Sequence, residues 1–143
     1  MNSCQMLPVV LWVALGPASA FAQEITGTWN MVATPGSINT CPGKGEGATY
    51  QWLVTEHGGE VTVLVQGETA FPKLAGKLSN GTLVLEGEGQ GRLMTTGYPN
   101  AVFVLDVKER TVSGTRYLMH FKPAKQGGAT ACLVTYTVSG KRT

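Results

Sequence analysis

Behind residue 24 the chain alternates apolar with polar side chains, and no stretch carries apolar residues at helical spacing. In Ile25–Ala33 every second residue is apolar or glycine, and Tyr50, Trp52 and Val54 repeat the pattern, as do Val61, Val63 and Val65. A period of two puts such residues on one face of a strand. The pattern predicts strands at about 25–33, 49–56, 60–66, 73–79, 82–88, 101–107, 112–121 and 130–139, with a weak ninth at 92–96. Between two of them stands Asn80-Gly81, the residue pair that a type I′ hairpin turn requires. Glycine-rich turns and a polar loop at 34–47 separate others. Six of the connections are short enough for sequential antiparallel pairing. The expected fold is therefore all-β, an antiparallel up-and-down β-barrel of eight to nine strands, because closure removes the exposed strand edges of a long meander. A two-sheet β-sandwich is the alternative.

The chain of 143 residues has room for one domain. Residues 1–22 read as a signal peptide: an apolar run from Leu7 to Leu15, Gly16-Pro17, and a small-residue cleavage site at Ala20-Phe21-Ala22. That run is too short to span a membrane, so residues 23–143 are expected as a single secreted or periplasmic domain. With Cys4 in the leader, Cys41 and Cys132 remain, and two cysteines in an exported chain pair most simply as one disulfide. Closing so long a loop contributes about 4–5 kcal/mol by chain-entropy arithmetic. With an even number of strands, the first and last are antiparallel neighbours. The loop holding Cys41 then shares an end with Cys132, while Trp29 lies at the other end with Lys141 and Arg142. The net charge of +2, from 11 cationic and 9 anionic residues without a basic run, argues against nucleic acid as partner.

Gly27-Thr28-Trp29, near the start of the first strand and followed by a meander of this length, resembles the opening of the calycin group: lipocalins, fatty-acid-binding proteins and avidins. That resemblance implies a tryptophan plugging the closed end of a barrel, with a cationic side chain from a late strand lying across its ring. Here Arg142 or Arg116 would supply it, a cation–π contact of about 0.5–2 kcal/mol. Avidins line their pocket with tryptophans on later strands; this chain has Trp52 and none after it, which argues against biotin.

Chemistry is sparse. His57 lies in a turn beside Glu56 and Glu60, and His120 near a strand end, neither with ligands at metal spacing, so no metal site is expected. Asp106 reads as the solvent end of its strand. Pro42-Gly43-Lys44-Gly45-Glu46-Gly47 lacks the order of a phosphate loop, and no serine has a base partner in a G-x-S-x-G elbow. Asn80-Gly81-Thr82 fits a glycosylation sequon, although the turn alone accounts for it. No catalytic residue or cofactor is expected. Tyr50, Trp52, Tyr117 and Tyr136, if they point inward, would line a mostly apolar pocket with hydroxyl tips. The alternative is a filled core. The leading expectation is a non-enzymatic binding protein that takes an apolar small molecule or a protein partner at the open end. A rim-loop inhibitor of a secreted or host hydrolase is the second expectation; small exported barrels with a Gly-x-Trp opening and one disulfide also resemble bacterial metalloprotease inhibitors. The predicted strand 101–107 is apolar on both faces, and its outward Val102 and Val104 offer a route to a homo-oligomer.

Overall fold

The computed structural model describes residues 24–43, 45–67, 71–87, 101–123 and 129–143. The leader call at 1–22 and the weak strand at 92–96 lie outside these residues. Eight strands are described: β1 (Gly27–Asn39), β2 (Ala48–His57), β3 (Glu60–Gln66), β4 (Lys73–Ser79), β5 (Thr82–Gly87), β6 (Ala101–Lys108), β7 (Thr111–Pro123) and β8 (Ala129–Arg142). They form a closed antiparallel barrel in chain order, with β8 returning to pair with β1. The fold is the up-and-down barrel, not the sandwich.

Parity decides what fills it. Trp29, Met31, Val61, Val63, Leu74, Leu83, Leu85, Leu105 and Val138 all point inward from alternating positions and are almost fully buried. Register partners face inward together, as Trp29 and Trp52 do across β1–β2.

One end of the barrel is closed by short turns and backbone hydrogen bonds. Asn80 and Gly81 take φ values of 51° and 78°, and Gly58 and Gly59 take 58° and 88°, so β4–β5 and β2–β3 join through left-handed two-residue turns. Each turn is then tied to the next strand along. The Leu78 amide donates to the Gly59 carbonyl at 2.7 Å, Val107 to Gly81 at 2.8 Å, and Arg142 to Arg110 at 2.9 Å. The Thr143 amide donates to the Thr28 carbonyl at 3.0 Å, completing the circuit. Beneath it the segment before β1 folds across the opening. Ile25 is buried in the core, its carbonyl accepts from Trp29 Nε1 at 2.8 Å, and Thr26 Oγ1 accepts from the Glu56 amide at 3.1 Å. Arg142 Nη1 donates to the Glu24 carbonyl at 2.8 Å. Its guanidinium lies against Gly27, where a Cβ would stand 3.1 Å from Nε and where φ is 143°, so glycine is required on both counts.

The opposite end carries the longer connections. Here β1 runs to Asn39, beyond the 25–33 expected, and takes in part of what reads as a polar loop. Pro35 falls at an irregularity in the β1–β8 register, where a strand tolerates a residue without an N–H. Beyond it the chain folds onto β8. The Ile38 amide donates to Thr135 Oγ1 at 3.1 Å, the Thr40 amide to the Leu133 carbonyl at 2.9 Å, and the Leu133 amide to Thr40 Oγ1 at 2.8 Å. Thr135, whose odd position faces outward, is covered by this fold to 4% exposure. The Cys41–Cys132 disulfide closes the attachment, its Cα atoms 5.0 Å apart across 91 positions of sequence.

Candidate functional site

At the open end the interior changes character. Toward the turns the inward residues other than Trp29 are aliphatic and sealed; toward the loops they become aromatic and several are less deeply buried. Phe71 and Phe103 are buried, while Tyr50, Val65 and Tyr136 are half-buried and pack against the core. Trp52 meets Phe103 edge to face, with centroids 5.2 Å apart and planes at 79°. The Val65 amide bonds the Pro72 carbonyl at 2.9 Å and holds the Phe71-Pro72 segment at the mouth of the barrel.

Among these rings sits Arg116, 7% exposed. It lies on β7 opposite Phe103 of β6 and Tyr136 of β8. Its guanidinium carbon is 5.5 Å from the Phe71 centroid, 5.5 Å from that of Phe103 and 5.4 Å from that of Tyr136. Three rings thus supply cation–π attraction, worth about 0.5–2 kcal/mol each. They do not satisfy hydrogen bonding. Among the described residues Arg116 Nε is buried without an acceptor, a state that costs about 1–3 kcal/mol or more for a charged group. A cavity of about 20 Å³ lies nearby, lined by Tyr50, Trp52, Phe71, Phe103 and Arg116 among others. That is room for about one water molecule. The interior formed by the described residues is thus nearly filled.

Of the aromatic set expected to line a pocket, Tyr50, Trp52 and Tyr136 are brought together. Tyr117 is a correction: it points outward and is 39% exposed. Parity is the cause, because Arg116 and Leu118 on either side of it face in. Arg116 is the second correction. It lies in the aromatic cage and not across Trp29, since its register partners are Phe103 and Tyr136. Arg142 does stand opposite Trp29, but its guanidinium is spent on Glu24 and the space above Gly27. The inward place of Arg116 was readable in the sequence, as Val112, Gly114 and Leu118 share its parity on β7.

A second surface lies outside. Val84 opposes Val104 across β5–β6, and Val102 opposes Tyr117 across β6–β7. With Met119 they form an apolar stripe in which Val84, Val104, Tyr117 and Met119 are each 38–40% exposed. Among the described residues no group of three or more His, Cys, Asp and Glu side chains is placed to hold a metal ion, and no helix is long and apolar enough to cross a membrane.

No protein-family model, curated protein or solved structure matches the chain. The barrel is compatible with a calycin-like architecture.

Proposed function

We propose that the protein is a non-enzymatic secreted or periplasmic binding protein whose recognition site is the open end of the barrel. One observation carries the reading. The closed end satisfies its polar groups with the chain's own backbone, whereas the open half holds a buried guanidinium whose Nε lacks an acceptor. A buried polar atom without a partner is costly enough to point to a function. The disulfide supports export, because such bonds persist in oxidising compartments. With a cavity of about 20 Å³, a small molecule would sit at the mouth, against Tyr50, Trp52 and Tyr136, and not deep in the lumen. The test is native mass spectrometry of purified mature protein for co-purified small molecules, with a thermal-shift screen over lipids and aromatics. Binding raises the melting temperature by mass action; no ligand and no shift across the panel would sink the small-molecule reading.

The nearly filled interior favours a second reading, a rim that contacts a protein such as a secreted hydrolase. The segment Gly36–Cys41, pinned to β8 by hydroxyls and the disulfide, would form part of that rim. Inhibition assays against secreted proteases test it, and inhibition that survives Ser37→Glu/Ile38→Glu, at two exposed positions of the segment, would remove it from the reading. The outer stripe around Val104 gives a surface for self-association, to which sedimentation of wild type beside Val104→Lys gives a direct answer. A monomeric wild type removes that part of the proposal.

A further inference from the structure

We infer that Asn80, in the β4–β5 turn, is a site of self-modification: its side-chain amide is lost through attack by the Gly81 main-chain nitrogen, at a rate set by opening of the closed end. Among the asparagines of the sequence only Asn80 precedes a glycine, and the missing Cβ leaves the Gly81 nitrogen open to approach. The chemistry needs only the chain and water. The Gly81 nitrogen bonds to Asn80 Cγ, the Cγ–Nδ2 bond breaks and ammonia leaves, which closes a cyclic succinimide. Water then opens the ring at Cγ to give an aspartyl residue, or at the main-chain carbonyl to give an isoaspartyl residue. Asn80 is exposed, so water has access to it.

The folded turn holds this reaction back. Asn80 at φ 51° and Gly81 at φ 78° are both left-handed, a region in which ψ is about +47°. There the Gly81 nitrogen points away from the Asn80 side chain across the Cα–C bond, and it must swing to the other side to reach Cγ. Two attachments oppose the swing. Ser79 pairs with Thr82 across the turn, and the Gly81 carbonyl accepts from the Val107 amide at 2.8 Å. Attack therefore requires a local opening of the turn. The product then acts back on the fold. An isoaspartyl link routes the main chain through Cβ and lengthens it by one carbon–carbon bond, about 1.5 Å. A two-residue turn in register has no room for that bond, and the Gly81 carbonyl is drawn off Val107. An aspartyl residue keeps the chain length and tolerates the left-handed conformation. Loss of ammonia is one-way in water, so the chain accumulates a record of its openings at the closed end, whatever the open end binds.

Incubation of the full mature chain at neutral pH beside a synthetic peptide of residues 75–86, with peptide mass mapping at intervals, tests this. Conversion at Asn80 should be slower in the folded chain than in the peptide by about tenfold to a thousandfold, the range that a local opening gives at tenfold per 1.4 kcal/mol. Urea just below the unfolding transition should speed it, while Asn30 and Asn39, followed by Met31 and Thr40, keep their amides. Asn80→Asp should melt with wild type. The isoaspartyl chain, separated by chromatography, should lose slow hydrogen exchange at the Val107 amide while the Arg142 amide, bonded to Arg110, keeps it. Conversion in the folded chain within about twofold of the peptide, or none over the same range, overturns the gated site. Loss of the amide at Asn30 or Asn39 as fast as at Asn80 overturns the choice of residue. Full protection of Val107 in the isoaspartyl chain overturns the consequence for the fold.

Discussion

The two ends of the barrel solve the same problem with different chemistry. At the turn end, Leu78, Val107, Arg142 and Thr143 donate backbone amides to carbonyls of the next turn or strand, over a plug of Ile25 and Trp29. At the loop end two backbone bonds, Thr40 to Leu133 and Val65 to Pro72, are joined by two threonine hydroxyls and a disulfide. The inner surface follows the same division, from aliphatic side chains around Trp29, whose indole N–H is satisfied by Ile25, to an aromatic cage around a cation. The turn end is tied together mostly through backbone atoms. The open end depends on particular side chains, and such residues can be spent on recognition. A site that costs stability where it recognises a ligand and is supported elsewhere is a common arrangement in folded proteins.

The contrast can be broken from either side. Trp29→Ala should have the largest effect, a loss of about 3–5 kcal/mol in urea unfolding, because it empties the most buried aromatic site and removes the donor to Ile25. A loss below about 1 kcal/mol would mean that Trp29 does not plug the barrel. The double variant Cys41→Ala/Cys132→Ala should lose about 2–5 kcal/mol. It should also expose residues 34–47 to protease while the amides of Leu78, Val107 and Arg142 keep their slow hydrogen exchange. If those amides lose protection to the same degree, the two ends are one cooperative unit and the contrast fails.

Two smaller changes sharpen it. Thr135→Val keeps the shape but leaves the Ile38 amide without its acceptor, for an expected loss of about 1 kcal/mol confined to the open end. Chemical denaturation and limited proteolysis read it together. Glu109→Gly should move the other way. Glu109 holds φ at 52°, a left-handed conformation that disfavours a side chain, so glycine should gain about 0.5–1 kcal/mol. A loss on this substitution would show that Glu109 makes a contact that outweighs its backbone strain.

Most of the barrel was legible because parity is a local property. Val61, Val63 and Val65, or Leu83 and Leu85, declare an inward face without knowledge of their neighbours, and Asn80-Gly81 declares its turn. The closing pair β1–β8 followed from an even strand count, and the Cys41–Cys132 disulfide agrees with it. What could not be read is what depends on pairing across distance. The extension of β1 past Pro35 is made by Thr135 and Leu133, nearly a hundred positions away, and a segment rich in proline, glycine and serine gives no local sign of it. The site divides in the same way. Tyr50, Trp52 and Tyr136 share an end because their strands place them there, whereas Tyr117 has the same chemistry but the outward parity of its strand. The resemblance offers Arg142 or Arg116 as the cation across Trp29. Its parity with Val112, Gly114 and Leu118 was the better guide, and the aromatic rings around it come from β6, β8 and the segment before β4.

The most direct test follows side-chain N–H signals in the ¹H–¹⁵N spectrum of the mature protein during titration with octanoate and phenylacetate. The Arg116 Nε–H should shift with at least one bound ligand, as a buried donor at the open end changes its surroundings, while the Trp29 indole N–H, bonded to Ile25 at the closed end, stays where it is. Movement of the Trp29 signal with an unchanged Arg116 Nε–H would place recognition at the wrong end of the barrel and contradict the account.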